Sequence, residues 1–302
     1  MTEPGVAVRD LLREATARLT RAGVPSPAVD AELLLADILG IERGRLIAAG
    51  PVNAGDRTAF DAAIGRRAKR EPLQHIVGHA WFGPVELAVG PGVFVPRPET
   101  EALLEWALVQ ARHEPPAVAV DLCSGSGALA IALAHELPTV RVHALELSDE
   151  ALIWLRRNVS AQPARVAERI VVHQADVTDR AAVVTAVGAA CADLVVSNPP
   201  YIPAGAAAGL DPEVREHDPH RALFGGPDGM SVIEPMTAAI AAIARPGAAV
   251  GIEHDDATGD RVVRVLMAAG FADVAGRADL AGRPRYVTGR TPVSTDVEGS
   301  VS

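Results

Sequence analysis

The chain has 302 residues, enough for one large domain or two ordinary ones, and 49% of them are hydrophobic, which suffices for a buried core. Its formal charge of −10 argues against a surface that holds DNA or RNA through phosphates, so no direct nucleic-acid partner is expected. The two cysteines, Cys123 and Cys191, make neither a disulfide framework nor a zinc site; no metal is expected, and no apolar run reaches the roughly 18 residues of a membrane span. The amino terminus, with Glu3 and Pro4, lacks the texture of a signal peptide, and a soluble cytoplasmic protein with no membrane partner is the expectation.

Residues 1–72 read as a small helical bundle. Val8, Leu11, Leu12, Ala15 and Leu19 recur at helical spacing between Val6 and Ala22. The stretch from Gly23 to Pro27 breaks that pattern. Ser26 and Pro27 suit the N-cap and first turn of a second helix over 28–39, closed by Gly40. A short helix at 43–48 and a longer one over 53–70 complete the bundle, and Arg66, Arg67, Lys69 and Arg70 read as its solvated face.

Residues 73–95 read as a β-hairpin linker, with strands at 74–78 and 85–89 around the turn-prone Gly83-Pro84. Pro96 and Pro98 forbid a helix, and Glu99 or Thr100 starts one that runs through Gln110. Residues 96–290 then alternate strand and helix, the pattern of a parallel α/β sheet. Strands are expected over 117–122, 141–147, 169–174, 192–197 and 248–253, with helices over 127–135, 149–158 and 232–244. The polar residues 291–302 read as a disordered tail.

Two segments carry chemistry. Asp121-Leu122-Cys123-Ser124-Gly125-Ser126-Gly127 lies between a buried strand and a helix, where glycines let backbone approach a ligand and turn into the helix. Glu146 ends the next strand, nineteen positions after Gly127, close to the roughly 20-residue offset of a carboxylate that binds ribose hydroxyls. The spacing Gly125-x-Gly127-x-x-Ala130 also fits a dinucleotide fingerprint. Asp121 argues against it, because a carboxylate there repels a pyrophosphate and suits the ammonium of a methionine moiety. S-adenosyl-L-methionine, with a ribose diol, an ammonium and no phosphate, is the cofactor these residues favour. Asp176 is placed to accept a hydrogen from the adenine amino group with Val177 against the ring, although a helix cap or solvated loop explains the pair equally well. Cys123 and Cys191 read as packing residues.

The second segment, Ser197-Asn198-Pro199-Pro200-Tyr201, follows the fourth strand at the carboxyl edge of the sheet. An amide or exocyclic amine presents two coplanar N–H donors. The Asn198 side-chain oxygen and the Pro199 carbonyl are suited to accept them, Tyr201 offers a flat face, and the two prolines stiffen the loop. Catalysis is thus expected from Asn198, Pro199 and Tyr201, with Pro200 completing the substrate loop.

These residues resemble a known family. Phe94-Val95-Pro96-Arg97-Pro98-Glu99-Thr100-Glu101, the Asp121–Ala130 segment and Ser197-Asn198-Pro199-Pro200-Tyr201-Ile202 are similar to motifs of the peptide chain release factor glutamine N5-methyltransferases (the HemK or PrmC family). Weaker matches lie at 219–229, at 282–286 and at 26–34. Asn-Pro-Pro-Tyr alone is shared with adenine-N6 and other N-methyltransferases, and the segment 96–101 narrows the choice. The resemblance implies a Rossmann-like class I S-adenosylmethionine-dependent methyltransferase domain behind a helical domain that docks class-1 release factors. It implies cofactor contacts from Cys123 to Gly127, from Glu146, Asp176 and Val177, and from Asn198. The substrate glutamine of a Gly-Gly-Gln loop would lie against Asn198, Pro199, Pro200 and Tyr201. Cys123 stands where many relatives have glycine, Glu146 where aspartate is commoner, Val177 where some have an aromatic, and Asp255-Asp256 where glutamine is often nearby. The rivals are an adenine-N6 or guanine-N2 nucleic-acid methyltransferase, a nicotinamide oxidoreductase and a non-catalytic cofactor-binding or assembly protein.

Overall fold

Residues 5–292 are described by a computed structural model and fall into two units. One contains the chain up to His79 together with Leu210–His217; the other contains Ala80–Gly209 and the chain from Asp218 onward.

The first unit is the helical bundle. Its helices are Val8–Arg21, Pro27–Leu39, Ala54–Arg67, Leu73–Val77 and Pro212–His217, with a 3-10 turn at Arg43–Ala48. The periodic apolar residues Leu11, Ala15 and Leu19 are buried with Leu34, Leu35, Phe60 and Ile64. Each large side chain buried this way contributes roughly 1.5–3 kcal/mol. Gly40 ends the second helix at φ +62°, and the Asn53 side chain accepts from the Asp56 N–H at 2.9 Å to open the third. Ser26 makes no side-chain cap, so Pro27 starts its helix through fixed φ alone.

Two expectations for this unit are corrected. Of the residues read as a first hairpin strand, 74–78, the first four lie in the helix Leu73–Val77, and Gly78 ends it at φ +83°. The basic run is a solvated face only in part: Arg66 and Lys69 are exposed, whereas Arg67 is 5% exposed and reaches Asp30 at 2.7 Å and Glu213 at 2.8 Å. Arg70 also pairs with Glu213, and Arg66 with Glu71. Three carboxylates satisfy this cationic cluster, which is the condition under which arginine is tolerated in an interior.

The second unit takes up the chain at a hairpin of β1, His79–Phe82, whose first residue belongs to the first unit, and β2, Val85–Ala88, with Gly83-Pro84 as its turn. The sheet strands follow in order: β3, Val118–Leu122; β4, Arg141–Glu146; β5, Ile170–Gln174; β6, Ala192–Ser197; β7, Ala244–Glu253; β8, Ala272–Ala278; β9, Pro284–Arg290. Their order across the sheet is β5-β4-β3-β6-β7-β9-β8, with β5 to β7 parallel and β9 and β8 antiparallel. The five parallel strands match the expected α/β pattern. β8 and β9 were not foreseen, and neither were the helices at Arg180–Val187 and Gly259–Ala268. β8 is exposed or half-buried along its length, so it lacks the apolar run that marks an inner strand.

The chain winds outward from β3 to β5 and then returns to β6, so strand order reverses between β3 and β6. That is where an open α/β sheet leaves a crevice for ligands. Thr291, expected to begin a disordered tail, is buried and bonded to Ala248 N and to the Arg245 carbonyl; residues 293–302 lie outside the described residues. No helix among the described residues is long and apolar enough to cross a membrane.

Candidate active site

Register brings the two motifs together. Leu122 on β3 stands opposite Ser197 on β6, and the Ser197 hydroxyl donates to the Leu122 carbonyl at 2.7 Å. Leu145 and then Glu146 flank Leu122 on the β4 side, and Ile252 and then Glu253 flank Ser197 on the β7 side. Four adjacent parallel strands therefore release their chains at one level, which assembles the site along a single sheet edge.

The loop after β3 has a backbone suited to close approach. Cys123, Gly125 and Gly127 have φ of +64°, +54° and +91°. A Cβ on Gly127 would lie 2.7 Å from Leu155, whereas one on Gly125 would meet nothing within 4 Å, so the loop opens to free space there. Glu146 holds the loop from the side. Its carboxylate accepts from Gly125 N at 2.8 Å, Leu147 N at 2.9 Å and Ser148 N at 2.8 Å. An ionised carboxylate has about four acceptor positions, so capacity remains for a ribose hydroxyl. Ser126 and Ser124 are buried; the Ser126 carbonyl accepts from Asn158 Nδ2 at 2.9 Å and the Ser124 hydroxyl donates to the Asp121 carbonyl. Asn158 also brackets Ala88 on the hairpin, and sequence reading gave it no role beyond a helix end.

Asp121 is buried beneath this loop. One carboxylate oxygen accepts from Ala130 N at 3.1 Å, and the other is buried without a partner. Burial raises its carboxyl to about 7 against the lowering pull of the Ser124 hydroxyl and the Ala130 N–H, with the Glu146 charge adding to the rise. An unpaired acceptor below an open, glycine-lined loop fits a ligand that brings a cation, as S-adenosylmethionine does. Cys123 is half-buried against the core, and desolvation followed by the Glu146 and Asp121 charges raises its thiol pKa, so it stays a thiol. Asp176 accepts from the Thr178 N–H at 2.9 Å, a local turn cap. Val177 is 5% exposed within the core, so its side chain offers little surface to an adenine ring.

The loop after β6 is held from three directions. Asn198 donates from Nδ2 to the Thr100 hydroxyl at 3.0 Å, which leaves Oδ1 as the acceptor of that amide. Tyr201 donates to Glu253 Oε1 at 2.9 Å. Behind Pro200 and Tyr201, Ile202 bridges Phe224, and Gly225 and Gly229 lie so close that a Cβ on Gly225 would sit 2.5 Å from the Pro200 carbonyl. Pro199 is buried, while Asn198, Pro200 and Tyr201 are half-buried.

Thr100, Glu253 and the 224–229 glycines were not assigned to the site from sequence. Thr100 belongs to the segment 96–101, whose Arg97 pairs with Asp218 and stacks over Phe94 at 4.9 Å. Glu253 is 1% exposed, and burial raises its carboxyl to about 7 against the Thr100 and Tyr201 hydroxyls and the Arg285 charge. Asp255 and Asp256 have structural partners: Asp255 accepts from Ala257 N at 2.9 Å and Asp256 pairs with Arg285 at 3.4 Å. Among the described residues no group of three His, Cys, Asp or Glu side chains is placed to hold a metal ion.

Comparisons with known proteins show the family. Residues 10–78 match the PrmC N-terminal domain and residues 91–210 the methyltransferase small domain. A release factor glutamine methyltransferase of Mycolicibacterium smegmatis is 51% identical over 282 residues, covering 93% of this chain and 96% of that protein. Proteins of the same name from Corynebacterium glutamicum and Deinococcus radiodurans are 47% and 42% identical, each over more than nine-tenths of both chains. Among solved structures, a release factor-specific protein-(glutamine-N5) methyltransferase of Alicyclobacillus acidocaldarius is 25% identical, covers 68% of this chain and 98% of that one, and has a TM-score of 0.38, too low to weigh on the assignment. On sequence identity that spans both units, the chain belongs to the release factor glutamine methyltransferase family.

Proposed function

We propose that this chain methylates the side-chain amide nitrogen of the glutamine in the Gly-Gly-Gln loop of class-1 peptide chain release factors. The observation that carries this reading is the Asn198 loop at the sheet edge beside the Asp121–Gly127 loop, where Asn198 Nδ2 bonds to Thr100 and Oδ1 is left as an acceptor. S-adenosylmethionine, when bound, supplies a methyl group activated by its sulfonium. Asp121 and Glu146 would hold its ammonium and ribose, and the backbone from Cys123 to Gly127 would line it, with Asp176 and Val177 at the adenine end.

Asn198 Oδ1 and the Pro199 carbonyl accept the two N–H groups of the substrate amide, which fixes its plane and favours positive charge developing on nitrogen. Tyr201 packs against the amide, its hydroxyl tied to Glu253, and Pro200 stiffens the loop. Holding the two reactants in line can supply about 7–11 kcal/mol of the barrier reduction. The helical unit is the docking element for the release factor, and the reaction belongs in the cytoplasm with the translation machinery.

The test uses purified protein, labelled S-adenosylmethionine and a class-1 release factor. The release factor should be labelled, and a glutamine-to-alanine change in its Gly-Gly-Gln loop should abolish the signal. Labelling of DNA or RNA in place of the protein would instead establish the nucleic-acid rival.

A further inference from the structure

The helix Asp149–Ser160 begins just after β4 and sets every fourth residue of one face against the chain that leaves the hairpin. Glu150 lies against Gly92, Trp154 against Gly90, and Asn158 against Ala88. A Cβ on Gly90 would lie 2.7 Å from the Trp154 ring, and the Trp154 indole N–H donates to the Pro91 carbonyl at 3.1 Å. The exit strand is thus pressed flat along the helix. The same helix meets the cofactor loop, since Leu155 lies against Gly127.

Asn158 is where these two contacts join. It is 2% exposed, although its side chain is polar. Oδ1 accepts from the Ala88 N–H at 2.8 Å, while Nδ2 donates to the Ala88 carbonyl at 3.0 Å and to the Ser126 carbonyl at 2.9 Å. One backbone donor and two backbone acceptors face the amide, so a single flip of the side chain satisfies all three. The Ser126–Gly127 peptide is then held at both ends, because the Gly127 N–H donates to the Ser124 carbonyl at 2.8 Å.

We infer that Asn158 is a positioning residue for the methyl donor: one side chain fixes the Ser126 carbonyl and both backbone groups of Ala88, and so links the shape of the cofactor loop to the seating of the hairpin's exit strand. Asn158 itself touches no ligand and acts through the Ser126–Gly127 peptide. The linkage is reciprocal, so a ligand that orders the loop also seats the strand, by the same factor. The strand runs on through 96–101 to Thr100, which receives Asn198 Nδ2. Cofactor occupancy is therefore felt along the segment that braces the substrate loop.

This inference rests on the reading that residues 123–127 line the cofactor, and one experiment on the wild-type protein judges both. Amide hydrogen exchange is measured with and without S-adenosylhomocysteine. Exchange should slow about tenfold at 123–127 and by a similar factor at 88–92. Asn158→Asp keeps the size and the acceptor of the side chain but loses both donors. In that variant the slowing should persist in the loop and vanish at 88–92. Its KM for S-adenosylmethionine and Kd for S-adenosylhomocysteine should rise about tenfold, the scale of a lost buried hydrogen bond. At saturating S-adenosylmethionine its kcat should hold. Trp154→Phe, which gives up the bond to Pro91 and leaves Asn158 in place, should lower stability and keep the affinity.

Protection of 123–127 without protection of 88–92 in the wild type would overturn the inference. So would an unchanged KM for S-adenosylmethionine in Asn158→Asp, or an equal loss of affinity in Trp154→Phe. If the ligand protects neither segment, the reading of the cofactor loop falls and takes this inference with it. Should Asn158→Asp fail to fold, exchange in the wild-type protein decides the matter.

Discussion

The Ser197 hydroxyl donates to the Leu122 carbonyl at 2.7 Å, joining β6 to β3 at the level where both strands end. Because the two strands finish in register, the cofactor loop and the Asn198 loop begin side by side. Neither loop needs a long excursion to reach the other, so the site is set by the rigid sheet, with few loop torsions left to fix.

Replacing Asn198 by alanine removes an acceptor aimed at the reacting nitrogen and also its bond to Thr100. The expected outcome is a fall in kcat of about a hundredfold to a thousandfold, the scale found when one preorganised polar group is deleted from an active site. Asn198 is half-buried at a strand end and outside the core clusters, so the melting temperature should change little. Steady-state methylation and a thermal melt check both parts; near-normal turnover would place the acceptor elsewhere.

Gly127→Ala tests the cofactor loop. The residue sits at φ +91°, and the added Cβ would lie 2.7 Å from Leu155 Cδ1 and 3.0 Å from Ile131 Cδ1. Backbone strain and overpacking act in the same direction, each costing about 1–3 kcal/mol. The urea midpoint should fall, and S-adenosylhomocysteine affinity measured below the transition should weaken because the loop moves. Gly125→Ala shares the positive φ but meets nothing within 4 Å, so its stability loss should be smaller.

Glycine positions and the two loop motifs were legible in the sequence because they express local needs: positive φ, a tight turn into a helix, a stiff loop after a buried strand. What was not legible depends on pairs distant in sequence. Thr100 lies 98 positions from Asn198, Glu253 lies 52 from Tyr201, and Glu213 lies 146 from Arg67. No local pattern marks such partners, so Thr100 read only as a helix start and Arg67 as a solvated charge. Residues 74–78 failed for another reason. A five-residue segment with only Ile76 and Val77 apolar is too short to tell strand from helix, and here Gly78 in the left-handed region closes a helical turn.

Asp121 predicts a pH dependence of cofactor binding. Its carboxyl is raised to about 7 in the free protein, so it holds a proton below that pH and is ionised above it. An ammonium placed against it favours the ionised form and lowers the pKa in the complex. Binding therefore releases a proton below about pH 7, and affinity for S-adenosylhomocysteine should rise as pH increases toward 7 and level off above. The groups facing Asp121 are the Ser124 hydroxyl, the Ala130 N–H and the Glu146 carboxylate. Calorimetry in buffers of different ionisation enthalpy measures the proton directly. Asp121→Asn should bind more weakly and remove the dependence; an unchanged profile in that variant would assign the proton to another group.

Gly251 couples packing to chemistry. A Cβ there would lie 2.6 Å from Leu103 Cδ1 and 2.6 Å from the Trp106 ring, both on the helix Glu101–His113 whose first turn follows Thr100. The missing side chain is what lets that helix lie close against β7 and hold Thr100 within reach of Asn198. Gly251→Ala should push the helix outward, with a stability loss of about 1–3 kcal/mol from overpacking. It should also lengthen the Asn198–Thr100 bond without touching the cofactor loop. The kinetic signature is a lower kcat with S-adenosylhomocysteine affinity retained, measured at a temperature well below the lowered melting point. If kcat holds at the wild-type value while stability falls, the helix absorbs the change by bending along its length, and its close packing serves stability alone.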